Sequence, residues 1–565
     1  MPKRKTCLNC RRRKIRCGGQ SPTCEQCLTS RGFGDCEYPG GGQTPTQILR
    51  DRIALLQARI QELEDPSDRV ISLHHPYQPG DLSNSSGNDF RALIYELIPT
   101  RYLTGSKSPS PARFSSSSRS PAPMVQRLAS PINTPEPAGR IAEAMLNSFL
   151  MESNRFGFFL NHDRFRRMFL LPLPVGHYSR PSPALVNTVY LWSIHLFPSS
   201  FSPLQESTYL QLALRHLSND LAGSHPQKVV HAIQTEVLLS YFYLKNGKVL
   251  QGNYHANAAL SLSLSAGLHR IRFPGIISEE EERSGSLGPF DLTLSPSTDH
   301  IDESQRVDAF WAVFILNNYW ITIQESHYMF YNLADSGVNT PWPADLSDYE
   351  TPFLPQENNG TLKQFLDNAS NGGFSEMAIH AKATVLLEQA TSLHTDAKDV
   401  ILQSGTFRSL DRLIESFKSA LPGHNLANGS PFLRESIFIA RIMADVATIK
   451  LHLPLSEGMP DSRNKYIRAA LSVSDTTREM LSGNAIRGHI NPFLGILWTS
   501  ACEALLHAIL SMNGGGPNTT HLFTSLEAII SQMTRFSENS ILMKILVMRL
   551  ENNYSSRLRR GTFAH

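Results

Sequence analysis

The chain has 565 residues and a mass of 63.0 kDa, several times the usual domain length, with 41% hydrophobic residues, 18% charged residues and a formal net charge of +3. This composition excludes a collagen and a wholly disordered chain. There is no uninterrupted apolar run of 18 residues, and the chain opens Met1-Pro2-Lys3-Arg4-Lys5, so the expectation is no membrane partner and no secretory leader.

The averages hide a sharp asymmetry. Six of the seven cysteines lie in the first 36 residues: Cys7, Cys10, Cys17, Cys24, Cys27 and Cys36. Residues 1–50 carry ten Lys or Arg against Glu25, Asp35 and Glu37, a local balance of +7, which leaves −4 for the remaining 515 residues. Eight of the ten basic residues fall between Lys3 and Arg16 with no acid among them. A small basic head on a faintly acidic body points to a polyanion as partner.

The cysteine spacing is C-x2-C-x6-C-x6-C-x2-C-x8-C, two C-x2-C pairs each followed by a third cysteine. Soft thiolates at such spacing suit zinc, which takes four ligands in a tetrahedron. Two tetrahedra drawn from six sulfurs require that two sulfurs serve both metals. Six thiolates with two Zn²⁺ leave a charge of −2, which the neighbouring Lys and Arg offset. Ligation would also supply the folding energy of a unit with almost no apolar core. A disulfide framework would need an oxidising compartment. A Cu(I)–thiolate cluster would leave the arginine-rich segment between two ligands unexplained. Cysteine/histidine fingers fail for want of a histidine, and an iron–sulfur cluster normally uses four cysteines. Two zincs per chain is the favoured reading.

The stretch Cys7-Leu-Asn-Cys-Arg-Arg-Arg-Lys-Ile-Arg-Cys17, then Pro22-Thr-Cys-Glu-Gln-Cys27 and Cys36, resembles the fungal binuclear zinc cluster of transcription factors. The pattern often has Asp after the third cysteine, where this chain has Gly18. The resemblance implies that Cys7, Cys10, Cys17 and Cys24 hold one zinc and that Cys24, Cys27, Cys36 and Cys7 hold the other, with Cys7 and Cys24 bridging. It also implies a short helix between Cys10 and Cys17 that enters a major groove of double-stranded DNA, with Arg13 and Lys14 at its tip facing a CGG-type triplet. Guanine O6 and N7 suit such donors. Arg11, Arg12, Arg16 and the arm Lys3-Arg4-Lys5 are expected to hold phosphates, which give affinity and register but no sequence information. The same basic run could act as a nuclear-import signal, a compatible role, and the expected location is the nucleus.

The head is assigned residues 1–38, and a linker over 39–47 follows with Pro39-Gly-Gly-Gly-Gln-Thr-Pro45. Leu49, Leu56 and Leu63 then alternate with Ile53 and Ile60, a heptad pattern of Ile at a and Leu at d that favours parallel two-stranded coiled coils. Residues 48–65 are therefore expected to dimerise the chain, adding a second half-site to a triplet too short to specify a site alone. An amphipathic helix docked on the rest of the protein is the alternative. Residues 66–138 read as a mostly disordered Ser/Pro-rich linker, with a short helix at Phe90–Leu97 and five Ser-Pro or Thr-Pro pairs, among them Ser108-Pro109 and Thr134-Pro135.

From residue 139 to 565 helical periodicity dominates. Val229, Ile233, Val237 and Tyr241 share a face, as do Val307, Phe310, Trp311 and Phe314, then Phe438, Ile442, Val446 and Ile449, then Leu494, Trp498, Leu505 and Ile509. The alternating Leu260-Ser-Leu-Ser-Leu-Ser265 hints at a strand, but its Ala/Leu-rich flanks and Gly267 favour a helix with a glycine cap. The fold class is thus all-α: a small two-zinc module, a short coiled coil, a disordered linker and a large all-helical domain with a loop over Gly275–Asp299. Glu279–Glu282 in that loop reads as a solvated face. Tyr254–Arg270, ending Gly-Leu-His-Arg, and Glu303–Asn317, leading into Phe310-Trp311, are similar to the helical regulatory region that follows such zinc clusters. The similarity spans about residues 140–350 and implies effector response, autoinhibition or partner contact.

No phosphate loop, nucleophile elbow or His-Glu-x-x-His motif occurs, so no enzymatic activity is expected. His269 reads as a helix-end residue bonding terminal carbonyls, Cys502 as a buried thiol, and Trp311 and Phe314 as core. The reading is a sequence-specific, RNA polymerase II transcription regulator, acting as a homodimer, with a small-molecule effector or co-regulator as a further partner. The alternative is a protein-interaction cofactor that keeps the zinc cluster as a structural module. A metal-buffering or enzymatic role comes last.

Overall fold

A computed structural model describes residues 6–7, 10–11, 13–19 and 24–29 of the head, and residues 136–562 except 203–204, 272–293, 295–296, 325–337, 345–360, 369–371, 395–404, 423–430, 483–487 and 513–516. Cys36, the heptad seam, the Ser/Pro tract, the helix expected at Phe90–Leu97 and Glu279–Glu282 lie outside the described residues. The chain divides into two units, Met1–Gly87 and Asn88–His565. Among the described residues there is no strand.

Among the described residues the first unit contributes the short helix α1 (Glu25–Leu28), and Cys10 and Arg11 are helical as well. The described residues of the second unit form helices joined by turns and loops, some of the helices opened or closed by identifiable local chemistry. After α2 (Gly139–Glu152), the Asn161 side chain accepts the Arg164 backbone N–H at 2.9 Å and caps α3 (His162–Phe169), whose Phe165 and Phe169 turn inward. Pro183 opens α4 (Pro183–Leu196), where its missing N–H costs nothing. Then come α5 (Glu206–Ala222), α6 (Lys228–Lys245) and α7 (Val249–Ser265). Gly267 follows α7 in the left-handed region at φ 71° and turns the chain into a 3-10 turn, Leu268–Arg270. The glycine-capped helix expected over the Leu/Ser alternation is therefore what forms.

The remaining helices are α8 (His300–Gln324), α9 (Thr361–Leu366), α10 (Glu376–His394), α11 (Gly405–Ala420), α12 (Pro431–His452), α13 (Pro460–Ser482), α14 (Phe493–Ser511), α15 (Pro517–Ser537) and α16 (Ile541–Thr562). Packing is mostly between chain neighbours: α4 on α5, α6 on α7, α12 on α13, α14 on α15. Longer connections join the layers, with α10 lying between α8 and α12 and α16 returning to α6. Lys245 Nζ donates to the Asn539 carbonyl, and Arg155 grips both carboxylate oxygens of Glu435, 280 positions away, at 2.7 to 3.0 Å.

The apolar stripes seen in the sequence are core except for Val229 and Phe438, which are partly buried against it, and the stripes understate the burial. In α6 every residue from Val230 to Lys245 is buried, polar ones included. A period of 3.6 marks the face that meets one neighbour; it does not register a second layer on the opposite side. The polar residues inside are paired instead. Gln234 accepts from the Phe159 N–H at 2.8 Å and donates to the Gly157 carbonyl at 3.1 Å, and Glu236 meets His255 Nδ1 at 2.5 Å. Trp311 is fully buried, stacks on Trp342 at 4.4 Å and donates to the Pro341 carbonyl.

By length and composition α14 could cross a membrane, yet 83% of its most apolar stretch is buried in the body. Cys502 lies on it, fully buried, with its thiol pushed up by desolvation. His269 departs from expectation. Its backbone carbonyl accepts the N–H groups of Asn339 and Thr340 at 2.9 and 3.3 Å, while its buried Nδ1 meets no partner among the described residues. The chain after Gly267 turns back along residues 338–340, so it is the main chain of His269 that faces the donors.

Candidate metal centre and nucleic-acid interface

In the head, backbone geometry follows the two C-x2-C pairs. The Arg11 N–H bonds the Cys7 carbonyl at 3.0 Å, and the Leu28 N–H bonds the Cys24 carbonyl at 3.0 Å, so each pair sits on one helical turn. The first turn ends in a Schellman arrangement: Ile15 N–H to the Cys10 carbonyl at 3.1 Å, and Lys14 N–H to the Arg11 carbonyl at 3.2 Å. Lys14 occupies the left-handed position at φ 54° where glycine is usual. Gly19, at φ 74°, turns the chain again after Cys17.

The two turns bring their sulfurs together. Cys7 Sγ lies 3.8 Å from Cys24 Sγ and 3.9 Å from Cys27 Sγ, and Cys10 Sγ lies 3.5 and 3.8 Å from the same two atoms. Cys7, Cys10, Cys17 and Cys24 place all their sulfurs within 4.8 Å of one another. Thiolates about 2.3 Å from a tetrahedral zinc stand about 3.8 Å apart, so the donor set fits zinc. A disulfide would hold its sulfurs at about 2.05 Å, and none of the five described head cysteines is in a disulfide. Backbone N–H groups point at the sulfurs, from Cys10 to Cys7 Sγ and from Cys7 to Cys17 Sγ, both at 3.4 Å. Such donors stabilise thiolate charge around a metal.

Cys7, Cys10, Cys24 and Cys27 are also the only buried apolar cluster among the described head residues, with Cys17 packed at its edge. A unit whose interior is its ligand set depends on the metal for its fold. Around it, Arg11, Arg13, Lys14 and Arg16 are all exposed, and Ile15 is half-exposed among them. Arg12, Lys3, Arg4 and Lys5 lie outside the described residues, as do Leu49, Ile53, Leu56, Ile60 and Leu63.

One contact was not foreseen. The N–H of Gly18, at the position where Asp is common in similar clusters, donates to Gln26 Oε1 at 2.8 Å, tying the two halves of the head together. No spacing rule signals that bond, because it joins residues that only the metal-ligand turns bring near.

Residues 5–43 match the fungal Zn(2)-Cys(6) binuclear cluster domain. The chain is also similar to the transcription factor FBD3 of Gibberella moniliformis, 29% identical over 183 residues, which cover 32% of this chain and 23% of that protein. It is 23% identical over 371 residues to the notoamide biosynthesis cluster transcriptional coactivator notQ' of Aspergillus versicolor, covering 65% of this chain and 61% of that one. The chain thus spans less than two thirds of either relative. No solved structure matches it. The cluster domain and the gathered cysteines support a zinc-binding head of the kind found in DNA-binding transcription regulators, to which the chain is similar. The match at residues 5–43 does not extend to the helical body.

Proposed function

We propose that the protein is a nuclear, non-enzymatic regulator of RNA polymerase II transcription whose head reads CGG-type triplets as a homodimer. In this reading Cys7, Cys10, Cys17 and Cys24 hold one zinc, and Cys24, Cys27, Cys36 and Cys7 hold the other. Zinc supplies the cross-link that fixes the turns. The chain's own part is to display Arg13 and Lys14 to base edges and Arg11, Arg12, Arg16, Lys3, Arg4 and Lys5 to phosphates. The observation that carries the reading is the exposure of Arg11, Arg13, Lys14 and Arg16 on a turn pinned by Cys7, Cys10 and Cys17. A rigid, metal-held turn lets basic side chains enter a groove without a large core behind them.

The proposed organisation is a head over 1–38, a linker over 39–47, a dimer seam over 48–65 through Leu49, Ile53, Leu56, Ile60 and Leu63, a spacer over 66–138 and a regulatory body over 139–565. A second reading draws on the relative named a transcriptional coactivator: the chain acts through protein contacts and the cluster serves only as a module. Selection of random duplexes by the intact, zinc-loaded chain separates the two. The regulator reading expects enrichment of paired CGG-type triplets at fixed spacing, bound with a log K versus log [salt] slope of about −0.9 per phosphate neutralised. Enrichment of no sequence, with unchanged co-regulator binding, would favour the coactivator reading.

A further inference from the structure

The helical body contains a cavity of about 380 Å³, within the range of about 300–1,000 Å³ common for small-molecule sites. One wall is a single face of α8, where Ser304, Asp308, Ala312 and Ile315 recur at helical spacing. Phe158 and Phe159 come from the segment after α2, Tyr241 from α6, and His380 and Met377 from α10. The apolar part of the lining combines these rings with aliphatic side chains such as Leu160, Ile315 and Ile439.

Among the described residues its charge is one-sided. Three carboxyl groups reach the cavity, on Asp308, Glu376 and Glu435, against one guanidinium, on Arg155. Arg155 is already engaged, bidentate with Glu435 and bonded to Glu152 at 2.6 Å. Glu376 accepts from the Ser436 hydroxyl at 2.5 Å. Asp308 has a hydroxyl, Ser304 Oγ at 3.3 Å, but no cation among the described residues. It is only partly buried because the cavity lies over it. A carboxyl kept from bulk water without a positive partner is costly to ionise, and burial pushes Asp308 up to about 8.

We propose that this cavity binds a small organic cation, an amine whose ammonium pairs with Asp308 while its apolar body lies against Phe158, Tyr241 and Ile315. This proposal stands independently of how the head reads DNA. On binding, the neutral Asp308 carboxyl gives its proton to solvent and the resulting carboxylate takes the ammonium, so one proton leaves for each amine bound. The other titratable groups on the wall are not expected to supply it. Burial holds His162 below its usual range and His380 at about 4, and pushes the Tyr241 hydroxyl up. Burial pushes the Glu435 carboxyl up as well, but it is held bidentate by Arg155, and the Glu376 carboxylate accepts a hydrogen bond from the Ser436 hydroxyl.

Isothermal titration of the full, zinc-loaded chain near pH 7 tests this with phenethylammonium, butylammonium and tryptammonium against 2-phenylethanol and 3-phenylpropionate. Two buffers of different ionisation enthalpy report the proton. At least one amine is expected to bind at one site with release of close to one proton, and about tenfold or more tighter than the alcohol. Asp308→Asn should remove that advantage and the proton release while leaving the alcohol's affinity unchanged. Ala312→Met, which fills the cavity, should abolish binding of amine and alcohol alike, with helical content intact by circular dichroism. Failure of every amine to bind, equal binding of amine, alcohol and carboxylate, or amine binding that survives both substitutions would overturn the proposal.

Discussion

Lys14 concentrates the head's logic in one residue. It closes the first metal-ligand turn from the left-handed region, where a side chain costs about 1 kcal/mol relative to glycine. A lysine kept there is expected to serve DNA rather than the turn. Lys14→Gly should therefore retain zinc against a chelator as well as or better than the parent, while Lys14→Val should release it more readily. Both should bind DNA more weakly. If glycine lowered zinc retention as much as valine, the left-handed geometry at this position would be wrong.

At the scale of elements, the junction of α6, α7 and α8 depends on a missing side chain. Gly252 in α7 lies so close to α8 that an added Cβ would stand 2.7 Å from the Trp320 ring. The same junction is tied by polar bonds: Trp320 Nε1 donates to Ser240 Oγ at 2.9 Å, and that hydroxyl donates to the Gly252 carbonyl at 2.8 Å. Gly252→Ala should destabilise the body by about 1–3 kcal/mol as the indole is displaced, read as a lower denaturant midpoint. An unchanged midpoint would mean that α7 can slide away from α8 at little cost.

This junction also shows what the sequence could and could not reveal. The helices were legible because Val307, Phe310, Trp311 and Phe314 repeat at helical spacing, and because Gly267 stands where a cap is needed. The metal site was legible for a related reason: Cys7, Cys10, Cys17 and Cys24, whose sulfurs the fold gathers, lie close together in the chain, so spacing alone points to the chemistry. Gly252 carried no such mark, since its role is fixed by Trp320, 68 positions away. The cavity was less legible still. Asp308, His380 and Glu435 come from three separate helices, and Arg155 reaches Glu435 across 280 positions. Likewise, the burial of α6 on all sides depends on layers that no local window contains.

Across the whole molecule, the near-neutral net charge resolves into a basic head and a faintly acidic body, and the body hides several histidines from protons. Burial lowers His231 to about 3, and its Nδ1 accepts the Ser182 N–H at 3.2 Å. In the unfolded chain it takes up a proton near its ordinary value of 6.5, so unfolding binds a proton between those limits and stability falls as pH drops through that window. Raised carboxyls such as Asp308 act in the opposite sense, so the useful comparison isolates one site. The stability difference between the parent and His231→Gln should shrink by up to about 1.4 kcal/mol per pH unit on acidification below 6.5. A difference that stays constant from pH 7 to 5 would show that His231 is not held neutral.

The central claim is that a metal-pinned turn reads bases while the surrounding arm holds phosphates. It is tested most directly by measuring the affinity of the intact, zinc-loaded chain for a duplex with paired CGG triplets and for one with both triplets scrambled, in the parent, Arg13→Ala and Lys5→Ala. The account predicts that Arg13→Ala lowers affinity for the triplet duplex by about tenfold or more and collapses the preference. Lys5→Ala should weaken both duplexes equally and reduce the salt slope by about one. Equal losses on both duplexes from both substitutions, with the preference untouched, would contradict it.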